Sequence, residues 1–216
     1  MGIPTKKEIE SALAERIGTE RQKRFSESTV AVCGLGGLGS NIAIALARAG
    51  IGKLILADFD RVDISNLSRQ QYKANQTGIF KTDALRENLR EISPYTEIET
   101  HCVRLCEDNY SAILKNAGII CEAFDKAEEK SRLVNFVLEY MPEKIIISAS
   151  GMAGLGSPDD IRTRRITRNF YLCGDGKSDM KDHALYAPRV ALCAMHQALA
   201  VLRILDSPEN AVPEIY

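Results

Sequence analysis

Four patterns are missing from this chain, and each absence removes a class of function. The first twenty residues lack the basic, apolar, small-residue succession of a secretory signal. The longest apolar runs, such as residues 145–147 and 41–49, fall far short of the ~20 residues of a membrane span. Charge of one sign is also missing: 28 Lys and Arg against 29 Asp and Glu leave a net charge of −1, so no global field draws the molecule onto nucleic acid or an anionic membrane. Finally, no two of the six cysteines are spaced C-x-x-C, and Cys102 and Cys106 have no second pair to complete a tetrahedral site. His101, His183 and His196 are isolated from one another. The expectations are a cytoplasmic protein without zinc, without a membrane partner and without nucleic acid. Its thiols should be reduced and mostly buried, with Cys33, Cys121 and Cys193 in the core.

The composition is that of a globular chain, 45% hydrophobic and 26% charged in 216 residues. That length suits one large domain, or one with a small annex. Residues 1–28 alternate in charge around Ile9, Leu13 and Ile17, which reads as a mobile start followed by an amphipathic helical arm. Residues 29–216 then form the main domain. Strands are expected at 29–33, 53–58, 97–102, 118–122 and 144–149, and helices at 40–49, 81–92, 109–115 and 127–140. Strands that are apolar on both faces, alternating with helices, mean a Rossmann-like α/β fold: a mainly parallel sheet with helices on both faces. After Ser150 the pattern changes to a glycine-rich crossing, a short antiparallel hairpin over 160–167 and 169–173, a polar loop over 173–184, and a long helix over 188–204.

Gly34-x-Gly36-x-x-Gly39 lies between the first strand and its helix, and Asp58 ends the next strand. This is the setting of a nucleotide fingerprint, in which glycines let backbone amides approach a phosphate and the carboxylate accepts from ribose. The continuation, Asp58-Phe-Asp-Arg-Val-Asp-Ile-Ser-Asn-Leu-Ser-Arg-Gln70, is not that of a dehydrogenase. Strand ends on one edge of a parallel sheet gather at one crevice, so Asp58, Arg69, Lys81 and Asp125 should converge with Gly36. Two cations and a free carboxylate suit a triphosphate and Mg²⁺ better than a nicotinamide.

Gly-Leu-Gly-Gly-Leu-Gly-Ser, Asp-Phe-Asp…Ser-Asn-Leu-x-Arg-Gln, Lys81 and the Asp125 segment resemble the ThiF/MoeB family, kin of the ubiquitin-activating enzymes, and most of all its short ThiF-like branch. The resemblance runs from about Arg21 to Leu205 and includes Ser148-Ala-Ser-Gly151 and Ala187-Pro-Arg-Val. It implies ATP-dependent adenylation of the C-terminal glycine of a ubiquitin-like sulfur carrier protein ending in Gly-Gly, giving acyl-adenylate and pyrophosphate, in thiamine biosynthesis. It further implies that Gly34, Gly36, Gly37, Gly39 and Asp58 hold the nucleoside and α-phosphate, with Asp60, Ser65 and Gln70 beside them. Asn66, Arg69 and Lys81 fall to the phosphates and Asp125 to Mg²⁺. A homodimer is implied too, with an N-terminal arginine reaching the nucleotide; Arg21 is the best match, and Arg16 or Arg24 could serve. The nucleophile is an ionised carboxylate and needs no general base, so catalysis would be alignment and charge neutralisation by Arg69, Lys81 and the metal. Two departures stand out: the paired C-x-x-C motifs of larger relatives are missing, and Asp125 is followed by Lys126 where relatives often carry Asn.

Two other classes compete. An NAD-linked oxidoreductase would use Gly34–Gly39 and Asp58 but leaves Arg69, Lys81 and Asp125 without a role. A nucleotide-binding scaffold without turnover would keep the whole set. Cys173, placed in the polar loop, is a candidate for a covalent link to the carrier. Arg162, Arg164, Arg165 and Arg168 on the hairpin read either as an edge that resists strand pairing or as a landing site for an acidic partner.

Overall fold

The computed structural model describes residues 2–207; residues 208–216, the end of the domain expected over 29–216, lie outside the described residues. Two helices open the chain. α1 (Lys6–Ile17) starts on a capping box between Thr5 and Glu8, and α2 (Thr19–Ser26) follows. The expectation of one helix is corrected here: Gly18, at φ +89°, breaks the arm in two. α1 has no fully buried residue, whereas α2 sends Phe25 into the main core.

The sheet then builds as β1 (Thr29–Cys33), α3 (Gly37–Arg48), β2 (Lys53–Ala57), α4 (Lys81–Ile92), β3 (Glu97–His101), α5 (Glu107–Leu114), β4 (Ile119–Glu122), α6 (Ala127–Tyr140) and β5 (Ile145–Ala149). The hairpin β6 (Arg162–Thr167) and β7 (Phe170–Gly174) and the long α7 (Ala187–Asp206) complete it. The order is β3-β2-β1-β4-β5-β7-β6, parallel throughout except between β6 and β7. Alternate residues of one strand feed two cores. Val30, Val32, Leu54, Leu56, Cys121 and Ile147 pack under α3 and α7. Ala31, Cys33, Ile55, Ile120 and Ile146 pack under α5 and α6. The Rossmann-like α/β architecture is therefore as the strand pattern implies.

Three local expectations change. α3 begins at Gly37, inside the glycine segment, rather than at Ser40. Cys173 is not in a loop: it is fully buried in β7, facing the core under α7, and burial pushes its thiol up to about 12. The exposed thiols are Cys102 and Cys106, on the β3–α5 connection. Lastly, among the described residues α7 does have the length and mean hydropathy of a span, 20 residues and 1.2. It reaches that length by admitting Arg189, His196 and Gln197 between apolar residues, and half of it is buried in the protein.

Candidate functional site

The carboxyl ends of β1, β2, β4 and β5 open into one cleft of about 680 Å³. Its floor is the turn from β1 into α3. Gly34 takes φ +89°, and a Cβ there would lie 2.8 Å from the Ala123 carbonyl oxygen. At Gly39 a Cβ would lie 1.8 Å from the Gly34 carbonyl oxygen. Both glycines are demanded by the protein's own packing. Gly36 is different. Its φ is −76° and the nearest atom to a Cβ would be Gln70 Nε2 at 3.8 Å. Packing does not require a glycine at that point of the cleft wall, which leaves the space in front of it for a ligand. The first intrahelical bond of α3 runs from Ser40 N–H to Gly36 C=O at 3.1 Å. The amides of Gly37, Leu38 and Gly39 precede it and have no acceptor among the described residues, the donor set of an anion site.

Asp58, just past β2, ties this turn to the sheet. Its Oδ2 accepts from Leu35 N–H at 2.6 Å and its Oδ1 from Asp60 N–H at 2.7 Å. Burial raises the Asp58 pKa above the usual aspartate value, against the opposing pull of Lys81 and of those two amides. Lys81, the first residue of α4, is 6% exposed; its Nζ lies 2.9 Å from Asp60 Oδ2 and 4.0 Å from Asp58 Oδ2. Arg69 is half-buried on the cleft wall, its Nη1 donating to the Ser65 carbonyl at 3.1 Å, with no carboxylate partner among the described residues. Gln70 is buried there with Oε1 unpartnered. Asp125 lies exposed at the cleft, on the turn between β4 and α6.

A third wall comes from the glycine-rich crossing and the β7–α7 loop, through Gly151, Met152, Ala153, Ser178 and Met180. One buried ion pair fastens the two segments. Arg189 Nη2 donates to Asp175 Oδ2 at 2.6 Å, while Nη1 donates to the carbonyls of Gly156 and Ser157 at 2.7 and 2.8 Å. Burial acts to raise the Asp175 pKa, but the amides of Ser178 and Lys177, the Ser178 hydroxyl and Arg189 outweigh it and hold it far below the usual value.

Of the residues expected from the sequence, Gly34, Gly36, Gly37, Asp58, Asp60, Asn66, Arg69, Gln70, Lys81 and Asp125 line this one cleft. Gly39 supports it from within the turn. Ser65 does not line it: its hydroxyl donates to Asp63 at 2.5 Å. Arg21 is also off the wall of its own chain's cleft, paired with Arg24 on Asp206 at the end of α7, at 2.8 and 2.7 Å. The sequence reading missed the Asp175–Arg189 latch, whose partners stand 14 positions apart, and Lys130, which lines the cleft and binds the buried Glu122 at 2.6 Å. A lone carboxylate closing the apolar run of β4 was the available signal. On the edge strand β6, Arg162, Arg164 and Arg165 make no ion pair among the described residues.

A sequence profile described as the ThiF family matches residues 10–215. The chain belongs to the ThiF family. Curated relatives within this similarity include Ubiquitin-like modifier-activating enzyme 5 of Caenorhabditis elegans, 47% identical over 88 residues, 40% of this chain and 21% of that protein. Adenylyltransferase and sulfurtransferase UBA4 of Lodderomyces elongisporus is 28% identical over 202 residues, 89% of this chain and 44% of that protein. This ThiF-family chain thus spans less than half the length of either relative. Among solved structures, the fold matches E. coli tRNA N6-threonylcarbamoyladenosine dehydratase, TcdA, in complex with ATP, with a TM-score of 0.84 and 17% identity over 96% of this chain and 98% of that one. E. coli MccB with ATP gives a TM-score of 0.69 at 20% identity, over 89% and 60% of the two chains.

Proposed function

We propose that this ThiF-family protein binds ATP in the cleft and adenylates the terminal carboxylate of a ubiquitin-like sulfur carrier protein ending in Gly-Gly, a ThiS-like partner of thiamine biosynthesis. The observation that carries the reading is Gly36: a glycine that packing does not require, beside the unpartnered amides of the α3 N-terminus, in the cleft that Arg69 and Lys81 also line. The names of relatives that activate ubiquitin-like modifiers or carry out adenylyl transfer support the same class of chemistry.

In this reading the carboxylate oxygen attacks the α-phosphorus, the bond to the β,γ-pyrophosphate breaks, and acyl-adenylate forms. Anion must meet anion, so the protein's task is to align the two and absorb charge. Arg69 and Lys81 neutralise the phosphates, the α3 amides hold the α-phosphate, and Asp58 accepts from ribose. A single exposed carboxylate, Asp125, beside substrate phosphates fits Mg²⁺, which keeps most of its ligands as water and phosphate oxygens. Bound there, Mg²⁺ would offset charge on the phosphate oxygens. The homodimer belongs to the same proposal: half-buried Leu192 and Leu202 and exposed Met195 and Leu199 form one apolar stripe along α7. An Arg21 that served a partner's cleft would first have to leave Asp206.

The test is exchange of labelled pyrophosphate into ATP, which should depend on an added ubiquitin-fold protein ending in Gly-Gly. Exchange without that protein, or ATP binding with no exchange in its presence, would remove the reading. Gly36→Ala should leave the melting temperature within about 2 °C, since a methyl group there would meet only Gln70 Nε2, at an unstrained 3.8 Å, and should weaken ATP binding at least tenfold by calorimetry. Equal ATP affinity in the variant would show that Gly36 does not face the nucleotide. Because the Asp58 pKa is raised, its carboxylate takes up a proton at a higher pH than an ordinary aspartate. ATP affinity should therefore begin to fall at a pH above about 4 as the medium is acidified, with that step missing in Asp58→Asn. The same step in both proteins would assign it to another group.

A further inference from the structure

The Glu122 carboxylate is fully buried at the end of the apolar strand β4, and three parts of the fold converge on it. Oε1 accepts from Phe124 N–H at 2.7 Å. Oε2 accepts from Lys130 Nζ of α6 at 2.6 Å and from the Ser148 hydroxyl of β5 at 2.5 Å. Behind it, Gln197 of α7 clamps the same strand ends, its Nε2 donating to the main-chain carbonyls of Glu122 and Ile147 at 3.0 and 3.1 Å. A buried carboxylate is costly to desolvate, and an apolar residue of like volume would hold a core as well or better. What an apolar residue would not do is seize two points on either side of a turn. Phe124, immediately before Asp125, is fixed through its amide, and Lys130, one helical turn beyond Lys126, through its ammonium. Between those anchors the chain has only Asp125 and the first residues of α6 to place.

We propose that Glu122 is a positioning residue that sets the Asp125 carboxylate in the cleft, with Lys130 and Ser148 as its supports; this rests on the adenylation reading in giving Asp125 a metal and phosphates to meet. Glu122 itself does not line the cleft, so it acts through the turn and not on substrate. Glu122→Gln keeps the volume and an acceptor for Phe124 N–H but removes the charge that holds Lys130. Ser148→Ala removes one donor and is the milder change.

The experiment measures, for wild type and both variants, Mn²⁺ affinity by electron paramagnetic resonance with α,β-methylene ATP present, affinity for α,β-methylene ATP alone, and the rate and KM for ATP in pyrophosphate exchange. Glu122→Gln should weaken Mn²⁺ binding at least tenfold and lower the exchange rate on the order of 10²-fold, the scale of a misplacement of about 1 Å. Affinity for the nucleotide alone and KM for ATP should stay within about threefold, because Gly36, Asp58 and Arg69 are untouched. Ser148→Ala should move the same quantities in the same direction by less. If Glu122→Gln is too unstable to assay, Ser148→Ala decides. Unchanged Mn²⁺ affinity in the folded variants, or Mn²⁺ and nucleotide affinity falling together, would make Glu122 merely structural and overturn the proposal. Absence of exchange in the wild type would sink the adenylation reading, while the Mn²⁺ comparison would still decide the role of Glu122.

Discussion

Arg69→Ala and Lys81→Ala are each expected to lower carrier-dependent pyrophosphate exchange by on the order of 10²-fold or more, the loss typical of one missing donor at a developing charge. The two variants should differ in what else they lose. Arg69 makes one hydrogen bond to a main-chain carbonyl and pairs with no carboxylate among the described residues, so its removal should leave folding nearly unchanged. Lys81 is buried between Asp58 and Asp60, and its removal leaves two carboxylates facing each other without their cation. The Asp58 pKa, already raised by burial, should then rise further, and Lys81→Ala should lose thermal stability as well as exchange. Rates near wild type in both variants would end the role assigned to these cations.

The second large effect concerns stability. Asp175 and Arg189 are 6% and 7% exposed at their side chains, and breaking a buried pair by removing one partner typically costs about 3–5 kcal/mol. Asp175→Asn should therefore melt about 6–20 °C below wild type for a chain of this size. The cost falls on a particular place. Arg189 sits in the first turn of α7, where a cation is disfavoured by the helix dipole, and Asp175 compensates it while its backbone neighbours close the β7–α7 loop. The pH dependence has a definite sign. A carboxylate whose folded pKa is held low contributes stability that is complete above its unfolded pKa of about 4 and is lost as pH falls toward the folded value. Melting curves from pH 5 to pH 2 should thus converge for wild type and Asp175→Asn. Parallel curves across that range would show that this ion pair is not what stabilises the crossing.

The central sheet was legible because β1, β2, β4 and β5 are apolar on both faces, which only a sheet covered on both sides explains. The boundaries that shifted did so where one residue's conformation decides. Gly18 breaks the N-terminal arm through a positive φ that the spacing of Ile9, Leu13 and Ile17 cannot display. Cys173 looked like a loop residue beside Gly174 and Asp175, yet in β7 it alternates with Leu172 and shares the core face with Tyr171. The site divides in the same way. Gly34, Gly36, Asp58, Arg69, Lys81 and Asp125 lie at strand ends on one sheet edge, so topology alone gathers them. The Glu122–Lys130–Ser148 cluster and the Asp175–Arg189 latch depend on side chains meeting across elements, and spacing along the chain does not encode that. Gly36 needed the structure too: all the glycines of the motif look alike until the space around each is measured.

Oxygen tracing tests the adenylation chemistry most directly. A ubiquitin-fold protein ending in Gly-Gly is labelled with ¹⁸O in its terminal carboxylate and incubated with the protein, ATP and Mg²⁺, and the product is released with hydroxylamine. Attack of that carboxylate on the α-phosphorus makes its oxygen the bridge to AMP, and hydroxylamine cleaves on the acyl side, so the AMP recovered should carry one ¹⁸O. Unlabelled AMP, or the label recovered in inorganic phosphate, would place the attack elsewhere and contradict carboxylate adenylation in this cleft.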